Sequence, residues 1–180
     1  TTKATGDYSV ALGKRTEASG LVSTALGNLT KASGETSLAV GNTTEASGIN
    51  SFASGNNTQA QGTNSVTTGS YTQTSTSSDN SFAGGQNTRA NGVNSFAFGE
   101  NAIATGRNAV SVGYKAPNIS NVGAYGQNSI TAGADTKTTT EATNAVAIGN
   151  TTIAAGVNSF VGGNHSEANN ENSFAFGNNV

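Results

Sequence analysis

The chain is 180 residues long, room for one ordinary domain, but Thr, Ala, Asn, Gly and Ser supply 26, 26, 24, 24 and 21 of them while Leu, Ile, Val and Phe together supply 30. So low an apolar content usually accompanies disorder, yet 8 basic and 10 acidic residues leave a net charge of only −2, too little to hold a chain open by self-repulsion. The absence of Cys excludes a disulfide framework and a thiolate metal site, a pI near 5.2 with scattered Lys and Arg argues against an electrostatic nucleic-acid binder, and no apolar run reaches membrane-spanning length.

Self-similarity resolves the composition. From the first copy, DYSVALG at 7–13, to the last, ENSFAFG at 171–177, one seven-residue unit recurs twelve times. Its closing glycines are Gly13, Gly27, Gly41, Gly55, Gly69, Gly85, Gly99, Gly113, Gly133, Gly149, Gly163 and Gly177, spaced by 14 in eight of eleven intervals. Between these A halves lies a second unit, the B half, exemplified by KRTEASG at 14–20 and NTTEASG at 42–48.

In the A half, position 3 is Ser or Ala, position 4 is apolar in eleven of twelve copies, position 5 is mostly Ala and position 6 is often apolar. This is the two-residue period of a strand. A glycine every seventh residue opposes helix by up to about 1 kcal/mol each relative to Ala. Strand, glycine turn, strand and glycine turn make one coil of a two-sheet solenoid, so the fold expected is an all-β parallel roll of about twelve 14-residue coils. Positive φ at the corners suits Gly, and next to it the Asn at position 2 (Asn50, Asn64, Asn80, Asn94, Asn108, Asn128, Asn144, Asn158, Asn172).

The B half indicates which face is inside. Its position 4 is charged or polar at Glu17, Lys31, Glu45, Gln59, Arg89 and Glu167, which turns the Thr and Ala of positions 3 and 5 inward. The same orientation in the A half leaves an outward stripe of Val10, Leu38, Phe52, Val66, Phe82, Phe96, Val110, Ile130, Val146, Phe160 and Phe174. Such a stripe needs partners, and a closed ring of identical chains supplies them, making these residues a contact between copies of the chain. The opposite orientation, with position 4 inside the roll, stays open at this point.

Three B halves are longer than seven residues, at 70–78, 114–126 and 134–142, and are expected to bulge from the outer sheet, where insertions often carry binding specificity. The middle one holds Tyr114, Lys115, Tyr125 and the sole proline, Pro117, and reads either as a ligand-contacting loop or as a tolerated surface loop.

Chemistry is sparse. His165 is the sole histidine, in a polar B half, and reads as a solvated side chain rather than a catalytic base. Glu17, Glu45, Glu141 and Glu167 are isolated at outer positions, against a glycosidase pair, and Asp7, Asp79 and Asp135 are too few for the calcium ligation of Asp-rich rolls. No metal, cofactor or enzymatic activity is expected. The recurring Thr16, Thr30, Thr44, Thr58 and Thr88 raise an ice-binding reading, which their inward orientation opposes, and a passive shaft of a phage or surface fibre is the other alternative.

The A half followed by a Thr or Ser beyond its glycine resembles the NSVAIGxxS repeat of the heads of trimeric autotransporter adhesins, the YadA-like head family. Within 143–152, Asn144, Val146, Ala147, Ile148 and Gly149 match, with Ala145 and Thr152 in place of the two serines. Across 7–177 the resemblance implies a left-handed parallel β-roll, trimeric, displayed at the bacterial surface outside the outer membrane, binding collagen, other matrix proteins or host cells. It implies a single head domain over 1–180 without its stalk and anchor. Ligand contact is expected at the motif residues Asn144, Val146, Ala147, Ile148, Gly149 and Thr152 and at Tyr114, Lys115 and Tyr125, with no nucleic acid or small-molecule substrate as partner.

Overall fold

The computed structural model describes residues 1–116, 119 and 122–180, all of them strand, turn or irregular backbone without helix. Two compact units, 1–87 and 88–180, divide the chain, and each is a parallel β-solenoid of six coils. A coil has one five-residue strand and one two-residue strand, as in Leu38–Asn42 followed by Glu45–Ala46. Long strands stack in register on long strands, Leu38 beside Phe52 in the first unit and Phe160 beside Phe174 in the second, and short strands stack likewise, Glu45 beside Gln59 and Ala154 beside Ala168.

The interior is lined by small side chains because the two halves of a coil turn positions 3 and 5 toward each other. Ala18, Ala25, Ala32, Ala39, Ala46, Ala53 and Ala60 form a fully buried column in the first unit, and Ala142, Ala145, Ala147, Ala154, Val161 and Ala168 form one in the second. Position 3 is filled mostly by buried Ser in the A half and mostly by buried Thr in the B half. The serines close the turn before the long strand: Ser23 Oγ donates to the Gly20 carbonyl at 2.7 Å and Ser159 Oγ to the Gly156 carbonyl at 2.6 Å. The Oγ1 atoms of Thr16, Thr30, Thr44, Thr58, Thr72 and Thr152 are buried without a hydrogen-bond partner. Position 4 faces outward in both halves, which decides between the two orientations that the sequence allowed.

The corners differ from the expectation. All nine position-2 Asn are left-handed, as expected, but so are position-2 residues of quite different type: Val22 has φ 56° and Arg15 φ 55°, as against 54° at Asn50. Their amides donate to the coil before, Val22 N to the Asp7 carbonyl and Leu29 N to the Lys14 carbonyl, both at 2.8 Å. The A-half glycine is no corner at all. Gly99, with φ 128°, lies inside the strand Phe96–Glu100 and stacks on Gly113, whose carbonyl a Cβ at Gly99 would strike. The glycines that close the B halves do sit beside a corner but have no positive φ. Gly34 is required by close approach, since a Cβ there would collide with the Gly48 carbonyl of the next coil. The two halves carry strands of different length, five residues and two.

Side-chain amides add a second set of bonds along the stack. Asn50 donates to Asn64 at 3.1 Å and Asn64 to Asn80 at 3.0 Å in the first unit. In the second a ladder from Asn94 through Asn108, Asn128, Asn144 and Asn158 to Asn172 has spacings of 2.8 to 3.0 Å. Asn is thus favoured at position 2 twice, once for its tolerance of left-handed backbone and once for this coil-to-coil bond.

The long B halves insert at corners and do not bulge from a sheet. The first and third add two residues after the short strands Gln73–Thr74 and Lys137–Thr138, in turns closed by Ser78 N to the Ser75 carbonyl at 3.1 Å and Ala142 N to the Thr139 carbonyl at 3.2 Å. The second inserts at the other corner of its coil, between the long strand Val110–Tyr114 and the short strand Gly123–Ala124. Its Pro117 lies outside the described residues.

Candidate functional site

The outer face of the long-strand sheet is the most apolar surface of each unit. A five-residue strand exposes positions 4 and 6 together, so two rows run side by side. In the first unit Val10, Leu38, Phe52, Val66 and Phe82 stand in one row, interrupted by Thr24 and with only Val10 exposed, and Leu12, Leu26 and Val40 stand in the other, which continues as Ser54, Thr68 and Gly84. In the second unit Phe96, Val110, Ile130, Val146, Phe160 and Phe174 run beside Phe98, Val112, Ile148 and Phe176. The rings pack along the face: Phe160 stacks on Phe174 with centroids 5.1 Å apart and planes 9° apart, and Phe96 lies 6.4 Å from Phe98.

The second row is what sequence reasoning missed. Away from the ends of the stack, Phe98 is 48 % exposed and Ile148 43 %, as against 37 % at Phe96, and the same two-residue alternation that placed position 4 outside also places position 6 there. Its small members are spatially matched to large neighbours. Gly162 leaves room for the Phe176 ring, whose edge a Cβ at Gly162 would meet at 2.6 Å.

The expected ligand residues fall in separate places. Val146 and Ile148 belong to the apolar face, Asn144 is bound into the amide ladder at a corner, and Gly149 lies inside the strand Val146–Asn150. Ala147 and Thr152 are fully buried in the interior. Tyr114 and Lys115 border a very small pocket where the chain leaves Val110–Tyr114, whereas Tyr125 lines a different cleft with Lys137 and Glu141. His165 is exposed at a corner with φ 50°, its Nδ1 3.0 Å from Asn164 Oδ1. Among the described residues no three His, Cys, Asp or Glu side chains are grouped so as to hold a metal ion.

The outer face of the short-strand sheet is different in character. Glu17, Lys31 and Glu45 alternate in sign on adjacent coils, as suits a solvated surface. Thr16, Thr30 and Thr44 lie beneath it, fully inside, so that face presents no array of threonines.

A comparison with curated proteins finds no match. The family model of the YadA head domain repeat matches residues 1–16, 18–44, 46–71, 90–116, 141–166 and 154–179, well over half of the chain and in both units. With its 14-residue coils, inward Ser and Ala and outward aliphatic rows, the chain belongs to the YadA head family, the repeat from which the heads of trimeric autotransporter adhesins are built.

Proposed function

We propose that the chain is one adhesive head domain over 1–180, working as a homotrimer of left-handed rolls at the bacterial surface and attaching to extracellular matrix proteins such as collagen, or to host cells, without catalysis. The observation that carries the assembly is the double apolar row on the long-strand sheet. Side chains such as Leu12, Phe98, Val112 and Ile148 are exposed beside the position-4 row, and soluble chains rarely leave so large an apolar surface in water. Val10, Leu38, Phe52, Phe82, Phe96, Val110, Val146, Phe160 and Phe174 then form the trimer contact, with the position-6 row beside them. Burying them among three copies leaves the polar short-strand sheet and the corners outward.

Adhesion follows from repetition. Equivalent coils offer many weak contacts, and three chains multiply them, so avidity converts poor single-contact affinity into firm attachment. Asn144, Tyr114, Lys115 and Tyr125 are the exposed or half-exposed members of the expected ligand set that lie outside this contact, and they are the ones open to direct binding. The test is sedimentation equilibrium of the purified chain followed by solid-phase binding to collagen, fibronectin, laminin and cultured cells. A trimer that binds at least one of them supports the reading. A stable monomer at micromolar concentration refutes the assembly, and a trimer that binds none of them leaves the passive shaft as the better account.

A further inference from the structure

The two-residue insertions at 75–78 and 139–142 have the same internal repair. In an ordinary coil the amides of B-half positions 6 and 7 donate to the carbonyl of the position-5 Ala one coil on, as Ser19 N and Gly20 N do to the Ala32 carbonyl at 2.9 and 3.3 Å. In the coils carrying insertions, position 5 is Thr and its hydroxyl becomes the acceptor. Gln61 N donates to Thr74 Oγ1 at 3.1 Å, and Tyr125 N and Gly126 N donate to Thr138 Oγ1 at 3.1 and 3.4 Å. Each Thr in turn donates to the serine across the interior, Thr74 to Ser65 and Thr138 to Ser129.

The side chains around the two corners are nevertheless unlike. The first is surrounded by Gln61, Gln73, Ser75, Thr76 and Ser77, and the equivalent positions of the second are Tyr125, Lys137, Thr139, Thr140 and Glu141. These last five line an open cleft of about 370 Å³. The first corner shows that the turn forms without a ring or a charge, so folding alone does not account for Tyr125, Lys137 and Glu141.

The geometry points to this cleft as a binding site for a single neutral sugar residue. The half-buried Tyr125 ring offers a flat apolar face to the C–H side of a pyranose, while Lys137, Glu141 and the threonine hydroxyls supply donors and acceptors at its edge. Charge selects among small ligands: Lys137 disfavours a cation, Glu141 disfavours an anion, and a neutral polyol satisfies both. Glu141 is held ionised as an acceptor, because the Thr140 hydroxyl donates to its Oε1 at 2.7 Å and, with its own backbone amide and Lys137, lowers its pKa. Burial pushes the Tyr125 phenol up, against the pull of the Arg89 guanidinium, so it stays a protonated donor. This site does not depend on the adhesive reading, since it rests on one corner of one unit.

Saturation-transfer-difference NMR with the methyl glycosides of glucose, galactose and mannose, and N-acetylneuraminic acid as the charged control, tests it. At least one neutral hexoside should bind in the millimolar range, as a ligand of so few atoms allows. Tyr125→Ala should reduce that binding at least tenfold without unfolding, because Ala155 occupies the same position in an ordinary coil. Exchanging the corner composition by the triple variant Y125Q/K137Q/E141S should abolish it, whereas Gln61→Ala at the first corner should not affect it. Absence of transfer to every neutral hexoside, transfer to the acidic sugar alone, or undiminished transfer in folded Tyr125→Ala would each overturn the assignment.

Discussion

Thr→Val at B-half position 3 and at position 5 should have opposite signs, and the difference tests the account of the interior. Val matches Thr in shape, so the substitution changes one hydroxyl into a methyl and little else. Thr44 is 1 % exposed and its Oγ1 has no hydrogen-bond partner, so its hydroxyl is desolvated without return. An unpaired buried polar group costs about 1 to 3 kcal/mol, and taking the low end, Thr44→Val should stabilise by about 1 kcal/mol. The chain already tolerates this side chain, for Val122 stands at the same position and is 7 % exposed. Thr138 is the reverse case. Its hydroxyl accepts from two backbone amides and donates to Ser129 Oγ at 2.9 Å, so Thr138→Val strands buried donors and should destabilise by about 2 kcal/mol. Thermal unfolding by circular dichroism at one fixed protein concentration reads both, with a shift of about 2 to 4 °C per kcal/mol for a chain of this size. Shifts of the same sign in the two variants would falsify the reasoning.

Other outcomes follow from the corners and the outer face. Phe96→Asp should reduce the proposed trimer to monomer by light scattering while the β-sheet circular dichroism persists, since the ring points outward. Val22→Asn should stabilise by about 1 kcal/mol in the same thermal assay, because a β-branched residue at φ 56° is strained where Asn is not. Of the four tyrosines, Tyr125 should ionise above the ordinary value of 10.0 in a spectrophotometric titration. Its phenol loses its proton more readily unfolded than folded, so its contribution to stability is intact below pH 10 and declines as pH rises through the folded value; Tyr125→Phe should remove that decline.

Periodicity carried most of the fold. The charges at Glu17, Lys31 and Glu45 were enough to turn B-half position 4 outward, and with it the stripe through Val10 and Phe174. Corner placement was less legible, because glycine signals both tight turns and close backbone approach, and here it serves approach at Gly34 and both approach and positive φ inside a strand at Gly99. The left-handed conformation fell instead on residues as unsuited as Val22 and Leu29, where the hydrogen-bonded coil above and below dictates φ and local propensity yields. For the site, alternation should have paired Leu12 and Phe98 with position 4. The cleft beside Tyr125 was out of reach, since an insertion's length does not say at which corner of the coil it is taken up.

The hydroxyl that Thr74 and Thr138 lend to the coil before them also bears on how such a chain can change. Ordinary coils are interchangeable in their backbone bonding: each presents the next with the same carbonyl and the same amide, so a tandem duplication or excision of 14 residues preserves the backbone hydrogen bonds of every junction. The coils carrying corner insertions are not interchangeable in this way, because the extra residues and the threonine that compensates for them form one inheritance unit. A crossover falling between Thr138 and residues 139–142 would separate an insertion from its compensation and expose two unsatisfied amides. Copy number can therefore drift freely along the plain stretches, while the decorated corners travel whole or are lost.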